Sequence, residues 1–327
     1  MPQIKKLKIG IIGLGMVGEP LKKYFELRGF KRGRNLFCYD TDPKKYYLDD
    51  VAKADVIFVC VPSPRKPDGS CNVSIVEEVI KGLAGKGKVF VVKTTVEPGT
   101  CARLAKKYKT AILFNPEFLT EARAWEDMIN PDRQIVAYTA STRQYASVVL
   151  NLLPVAFFSS PGTLGTYNFT RLNSTEAEIG KYAGNWFGAL KVTYANILVD
   201  LCQALESVLK EDGIKEKINY EHIKYIIGHD RRIGDAWMDV YHGNYRGYGG
   251  YCFPKDTDAL IAVIDKTIKK LPVKSATRNS LQKGIKLLEA MRDYNTALLA
   301  SQGYSPEGIS RHDHEVREII NNKNKKK

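Results

Sequence analysis

The stretch GYGGYCFPKDT, residues 247–257, sets one cysteine, Cys252, behind three glycines and ahead of Pro254, Lys255 and Asp256. Glycine lets a backbone pass close to a ligand, and proline is favoured at the first position of a helix. The stretch predicts a tight loop that delivers Cys252 just ahead of a helix N-terminus, where the helix dipole favours the nucleophilic thiolate. A small buried cysteine in a glycine turn is the plain alternative, and the rest of the chain must decide between them. Lys181 and Asn185 form a second pair with chemical potential: four apart in a helical pattern, they share one face. An exposed, solvated pair is the ordinary outcome of that spacing.

A third group lies near the N-terminus. LKIGIIGLGMVGEPLKKYFELRGF reads as an apolar strand, then Gly13, Gly15 and Gly18 in GxGxxG spacing, then a helix. NLFCYDTDP follows as a second strand ending at Asp40. Such glycines allow the turn, the approach of a pyrophosphate and close helix–strand packing, while the acidic residue accepts ribose hydroxyls. Asp40 favours NAD over NADP, because a 2′-phosphate would meet like charge.

The elements that position these groups follow a βα alternation. Strands are predicted at 55–62, 87–95, 111–117 and 133–138, with helices at 74–84 and 100–108. This is an α/β fold, a Rossmann-like doubly wound parallel sheet with its ligand at the strands' C-terminal ends. From Thr175 the apolar spacing becomes that of one long helix, opened by a capping box of Thr175 and Glu178. Helices then continue through the Cys252 loop to about residue 300. The expected organisation is a nucleotide-binding domain over 1–172, an all-helical catalytic and dimerisation domain over 173–300, and a basic tail over 301–327.

Composition narrows the function classes. The 327 residues are 44% hydrophobic and 26% charged, enough for two ordinary cores. No run of eighteen uninterrupted apolar residues suggests a membrane span, and the N-terminus lacks a signal-peptide cleavage pattern. The six cysteines show no CxxC pairing, which fits a reducing cytoplasm. There is no HExxH; His312 and His314 sit in a polar segment, and no metal is expected. The formal charge of +14 has no nucleic-acid module to serve and reads as an effect on small anionic substrates. No GxxxxGK[ST] is present, which argues against a P-loop phosphate-cleaving enzyme.

Taken in order, GIIGLGMVG, VPSPRKPDGS (61–70), KTTVEPGT (93–100), NPEFLTEARAWEDMINPDR (115–133), EIGKYAGNWFGAL (178–190), RIG (232–234) and GYGGYCFPKD resemble the nucleotide-sugar 6-dehydrogenases, the UDP-glucose/GDP-mannose dehydrogenase family. The resemblance runs from about residue 8 to about 297. It implies a four-electron, NAD-dependent oxidation of a sugar C6 alcohol to a carboxylate. By similarity Cys252 traps the aldehyde as a thiohemiacetal that becomes a thioester, Lys181 and Asn185 face the developing oxyanion, and Glu117 orients water with Thr95 and Asp256 beside it. The resemblance further assigns the cofactor to Gly13, Gly15, Met16, Val17, Gly18, Asp40, Lys45, Ser63, Thr95 and Glu121. It assigns the substrate to Glu117, Phe118, Leu119, Glu121, Lys181, Asn185, Arg232, Tyr248 and Gly249. Arg232 matches an arginine that reaches across a dimer interface, so a homodimer built on the long helix is expected. If their segment is helical, Glu117 and Glu121 are like charges one turn apart, which helix stability alone does not favour.

Three departures accompany the resemblance. The family's third, nucleotide-binding-like domain has no counterpart after LLEAMRDYN (287–295), which suggests weaker or altered substrate binding or a separate chain that supplies the domain. The loop DAWMDVYHGNYR (235–246) differs from the family's usual sequence. Ala122 and Ser63 replace a common glycine and threonine. UDP-glucose is the leading substrate, with GDP-mannose or an N-acetylated sugar nucleotide as the alternative. A two-electron 3-hydroxyacid dehydrogenase would not need Cys252 or NPEFLTE. A non-catalytic NAD-binding subunit would not need Cys252, Lys181, Asn185, Glu117 and Asp256 together.

Overall fold

The apolar run IGII has no polar face to give to solvent, and it forms strand β1 (Ile9–Ile12) with every residue buried. The computed structural model describes residues 7–85, 87–120, 123–156, 167–242, 245–306 and 308–309. Along the chain β1 leads to α1 (Gly18–Leu27), β2 (Leu36–Tyr39), β3 (Val56–Val59) and α2 (Ser74–Leu83). Then come β4 (Val89–Val92), α3 (Thr100–Tyr108) and β5 (Ala111–Phe114). These five strands are parallel in the order β2-β1-β3-β4-β5, with Ile9 paired to both Leu36 and Val56. The chain turns one way from β1 to β2 and the other way to β3. That reversal opens a crevice at the strands' C-terminal ends, where ligands of open α/β sheets bind.

Both faces of the sheet are covered, which is why its strands read as continuous apolar runs. Ile9, Ile11, Phe58 and Leu113 pack with Leu21 and Phe25 of α1, Met128 of α4 (Ala124–Ile129) and Val149 of α5 (Arg143–Leu150). On the opposite face Ile57, Val59, Phe90 and Ile112 pack with Ile80 of α2 and Leu104 of α3.

The segment 133–138 is not the single parallel strand its sequence suggests. It divides at Val136 into β6 (Arg133–Ile135) and β7 (Ala137–Tyr138). β7 joins the sheet edge antiparallel to β5, and β6 pairs in parallel with β8 (Tyr167–Phe169). The Asn115 amide donates to the Ile135 carbonyl at 2.6 Å, and the Val136 N–H goes to the Phe169 carbonyl, so the ladder changes partner there. The sheet is therefore parallel with one antiparallel edge.

By contact density the chain forms two compact units, residues 1–66 with 71–181 and residues 67–70 with 182–327. α6 (Ser174–Glu211) starts in the first and continues in the second. Its capping box is Asn173 with Glu176, not Thr175 with Glu178: the Glu176 N–H donates to Asn173 Oδ1 at 3.0 Å, and the Asn173 N–H donates to Glu176 Oε2 at 2.7 Å. Glu178 is wholly buried and committed elsewhere, accepting the Gly99 and Cys101 N–H groups at the start of α3.

In the second unit α6 is followed by α7 (Tyr220–Gly228), the short pair β9 (Tyr241–His242) and β10 (Tyr245–Arg246), α8 (Cys252–Lys270) and α9 (Ala276–Ala300). α8 and α9 pack along each other. Ala189 and Val192 of α6 enclose Tyr248 together with Met291 of α9. α6 also holds an eighteen-residue window of mean hydropathy 1.2, long and apolar enough to cross a membrane, one third of it buried. Its exposed apolar residues lie on a stripe, with Phe187, Tyr194, Leu201 and Val208 at seven-residue steps. A lipid-facing helix is apolar all round, whereas a stripe of this period is a seam for another helix.

Candidate active site and cofactor turn

The glycine turn follows β1 directly. Gly13 has φ +88°, and a Cβ there would lie 2.7 Å from the Cys60 carbonyl oxygen; at Gly18 it would lie 1.9 Å from the Gly13 oxygen. Gly15 instead faces open space, with nothing within 4 Å of the position its Cβ would occupy. The turn is thus closed on the protein side and open on the other, as a pyrophosphate requires. Met16 and Val17 complete it, and Val17 precedes α1 without a side-chain cap. The Glu19 N–H donates to the Gly15 carbonyl at 3.0 Å and Pro20 has no N–H, so the turn itself and Gly18 carry the backbone donors open to a ligand. Asp40, just past the end of β2, is buried. It accepts the Leu14 N–H at 2.6 Å and the Lys45 ammonium at 3.3 Å, and Lys45 also reaches the Leu14 carbonyl. These residues fit a dinucleotide with free ribose hydroxyls.

Ser63 and Thr95 come together at the ends of β3 and β4. The buried Ser63 hydroxyl donates to the Thr95 carbonyl at 2.8 Å. Thr94, the residue between Lys93 and Thr95, ties the same ends by donating to the Val61 carbonyl at 2.7 Å.

Residues 115–120 after β5 form no helix. Glu117 is buried within them, and Lys181 Nζ lies 3.3 Å from each of its carboxylate oxygens. The Leu119 N–H donates to the same carboxylate. The Phe118 ring takes the Arg133 guanidinium at 3.7 Å and Lys181 Nζ at 5.4 Å, contacts of the cation–π kind. Glu121 and Ala122 lie outside the described residues.

A second buried lysine, which the motifs did not mark as functional, stands behind this pair. Lys93 Nζ donates to Asn115 Oδ1 at 2.7 Å, and Asn115 Nδ2 donates to Gln134 and to the Ile135 carbonyl. Burial lowers the Lys93 pKa, while the neighbouring Cys60 and Glu117 support its charge. The alternation of a sheet strand at VVKTT hid it, since a lysine at a strand end ordinarily reaches solvent.

In the second unit Cys252 is itself the first residue of α8, so the helix begins two residues before Pro254. Proline is accommodated there because first-turn N–H groups have no intrahelical partner. One turn on, Asp256 is buried and accepts from Asn185 Nδ2 at 2.5 Å and from Lys255 Nζ at 2.5 Å. The loop before it is clamped by residues that no motif announced. Asn295 of α9, itself buried, takes the Tyr248 N–H at 2.8 Å and returns its amide to the Tyr248 carbonyl at 2.9 Å. Gln302 does the same for the backbone of Arg246. The Tyr248 ring is buried in the core, and Gly249 is flanked by Ile309 and the Tyr245 hydroxyl. Arg232 is exposed and pairs with Asp230 at 2.6 Å.

None of the six cysteines is in a disulfide. Burial pushes the Cys38 and Cys60 thiols up to about 12 and raises Cys101 as well, which makes those three poor nucleophiles. Among the described residues no three His, Cys, Asp or Glu side chains cluster as metal ligands would.

The sheet and its glycine turn define a dinucleotide-binding fold. Residues 44–151 match the NAD-binding domain, and residues 175–296 the central domain, of the UDP-glucose/GDP-mannose dehydrogenase family, and the chain belongs to that family. It is 34% identical over 230 residues to a UDP-glucose 6-dehydrogenase of Rhizobium meliloti, covering 64% of this chain and 46% of that protein. A putative UDP-glucose 6-dehydrogenase of Bacillus subtilis is 28% identical over 295 residues, 78% of this chain and 62% of its own. Among solved structures, a UDP-glucose dehydrogenase from Pyrobaculum islandicum superposes with a TM-score of 0.67 at 26% identity, covering 88% of this chain and 68% of that one. The chain therefore spans between about half and three fifths of the length of these curated relatives.

Proposed function

We propose that this chain oxidises the C6 alcohol of a sugar nucleotide, UDP-glucose first among them, to the carboxylate in two NAD-dependent steps. The observation that carries the reading is the Asn185–Asp256 bond at 2.5 Å in the unit whose helix α8 opens with Cys252. NAD, when bound at the glycine turn, accepts one hydride in each oxidation.

The residues of the chain supply the rest. Loss of hydride and a proton from the C6 alcohol gives the aldehyde, with Lys181 as the group that relays the proton. The Cys252 sulfur adds to the aldehyde carbon, giving a thiohemiacetal whose oxygen is stabilised by the Lys181 cation and the Asn185 amide. A second hydride loss leaves a thioester on Cys252. Water directed by Glu117, with Thr95 beside it, cleaves the thioester to the carboxylate and restores the thiol. Sulfur suits this sequence because its acyl form both arises by hydride loss and yields to water.

A homodimer along α6 is part of the reading, supported by the exposed seam of Phe187, Tyr194, Leu201 and Val208. The exposed Arg232 would then serve a neighbouring site. Six cysteines outside any disulfide fit a cytoplasmic enzyme. GDP-mannose is the second substrate to test, because the matched family embraces both chemistries.

The test is NADH production by the purified chain with NAD and excess UDP-glucose, counted per sugar consumed. Two NADH per sugar, lost in Cys252→Ala, is the expected result. NAD binding without turnover of any sugar nucleotide would overturn the proposal and turn attention to a second chain.

A further inference from the structure

Trp237 is held in a backbone conformation that bulky residues avoid. Its φ is +63°, in the left-handed region, where the Cβ of a non-glycine residue crowds the following carbonyl oxygen. Among the described residues two other non-glycine residues share this sign of φ, Tyr46 and Lys109, and both terminate short helices, where a left-handed residue is routine. Trp237 terminates no helix.

Its surroundings are shaped to receive the indole. The ring meets Phe253 edge-on at 6.2 Å between centroids, and Phe253 is the residue after Cys252. Beneath them α6 carries Gly188, where a Cβ would lie 2.6 Å from Phe253 Cζ and 3.2 Å from Trp237 Cε2. Yet 44% of the Trp237 surface remains exposed. A fully packed tryptophan would explain the strain as a cost of the core; a half-open one does not. Backbone strain that the core does not require clusters at active sites and ligand clamps.

We infer that Trp237 is a stacking platform for the sugar ring of the substrate, and so a specificity-determining residue. The inference takes from the proposed function the role of Cys252 at C6. The sugar must lie beside that sulfur, and Phe253 couples the indole to the same turn of α8. The electron-rich indole face suits the polarised C–H bonds on one face of a pyranose. A nucleobase, separated from C6 by the pyranose and the pyrophosphate, fits this position less well. Stacking of this kind binds ground state and transition state alike, so its loss raises KM and leaves kcat unchanged.

The test uses the intact chain and two variants. Trp237→Phe keeps a smaller ring, and Trp237→Gly keeps the left-handed turn at no steric cost. Indole fluorescence is titrated with UDP-glucose and, separately, with UDP; the other two tryptophans, Trp125 and Trp186, remain in both variants. The expected result is a fluorescence change with UDP-glucose that UDP does not produce and that both variants lose. KM should rise about threefold to tenfold in Trp237→Gly, with kcat within about twofold and NAD affinity unchanged. A KM equal to that of the wild type in Trp237→Gly, or a fluorescence change that persists in it or that UDP alone produces, would overturn the platform while leaving the dehydrogenase intact. A sugar-dependent change without any NADH would support the platform and count against the proposed reaction.

Discussion

Lys181 Nζ sits 3.3 Å from both carboxylate oxygens of Glu117, and both side chains are more than nine-tenths buried. An ion pair so enclosed is a poor source of net stability, because desolvation offsets most of the attraction. Breaking it is another matter. Lys181→Met leaves a buried carboxylate and Glu117→Gln a buried ammonium, and each single change should destabilise the first unit by about 3–5 kcal/mol. The double variant should recover much of that loss. Urea unfolding of all four proteins checks this, and additive losses would show that the two charges do not depend on one another.

The clamp of Asn295 on Tyr248 gives a prediction about the cysteine loop. Asn295→Leu removes both bonds and leaves the Tyr248 N–H and carbonyl buried without partners, at a cost of about 1–3 kcal/mol. Gly247 adds to the effect, since its φ of +100° is set where Asn295 Oδ1 approaches it most closely. The variant should alkylate faster at Cys252 with iodoacetamide, read by mass spectrometry, because the loop opens locally. An unchanged rate alongside lowered stability would confine Asn295 to a packing role.

How far these features could be read beforehand depends on whether their signal is local. The strand at 9–12, the glycine turn and Asp40 lie within about thirty residues of each other, so spacing alone carries them. Helices α2 and α3 fall within a residue of the periodicity at 74–84 and 100–108. Thr175–Glu178 satisfies the same local pattern as Asn173–Glu176, so spacing alone does not place the cap of α6. What separates them is the burial of Glu178 against the start of α3, more than seventy residues away. Lys93, Asn115 and Asn295 leave no local signal for the same reason, each being a polar residue whose partner is distant in sequence. The antiparallel β7 depends on where the ladder breaks at Val136, which no run of β-formers records.

Glu178 also predicts a pH dependence. Burial raises its pKa above the ordinary 4.5, against the lowering effect of the Cys101 and Gly99 N–H groups and of Arg103. The folded state thus binds a proton that the unfolded chain has already released as pH rises from 4.5. The stability this group contributes is complete below that value and declines as pH rises through the folded pKa. Thermal unfolding of wild type and Glu178→Gln across pH 4 to 8 should therefore show the wild-type advantage shrinking as pH rises. A difference in Tm that stays constant across the range would mean that Glu178 titrates alike in the folded and unfolded chain, and an advantage that grows with pH would mean that the buried carboxylate is ionised.

The seam on α6 makes the last prediction. Phe187, Tyr194, Leu201 and Val208 recur every seven residues, between 45% and 56% exposed, with Ile197 and Leu205 beside them. A contiguous apolar stripe of this period buries itself against another helix in water. A second copy is the partner that needs no further component. Leu201→Glu places a charge at the middle of the stripe, where an unpaired buried carboxylate is strongly unfavourable. Sedimentation of the wild type at micromolar concentration should give a dimer, and Leu201→Glu a monomer with unchanged NAD affinity. A wild type that sediments as a monomer would remove the homodimer from the proposed function and leave the seam for a different chain.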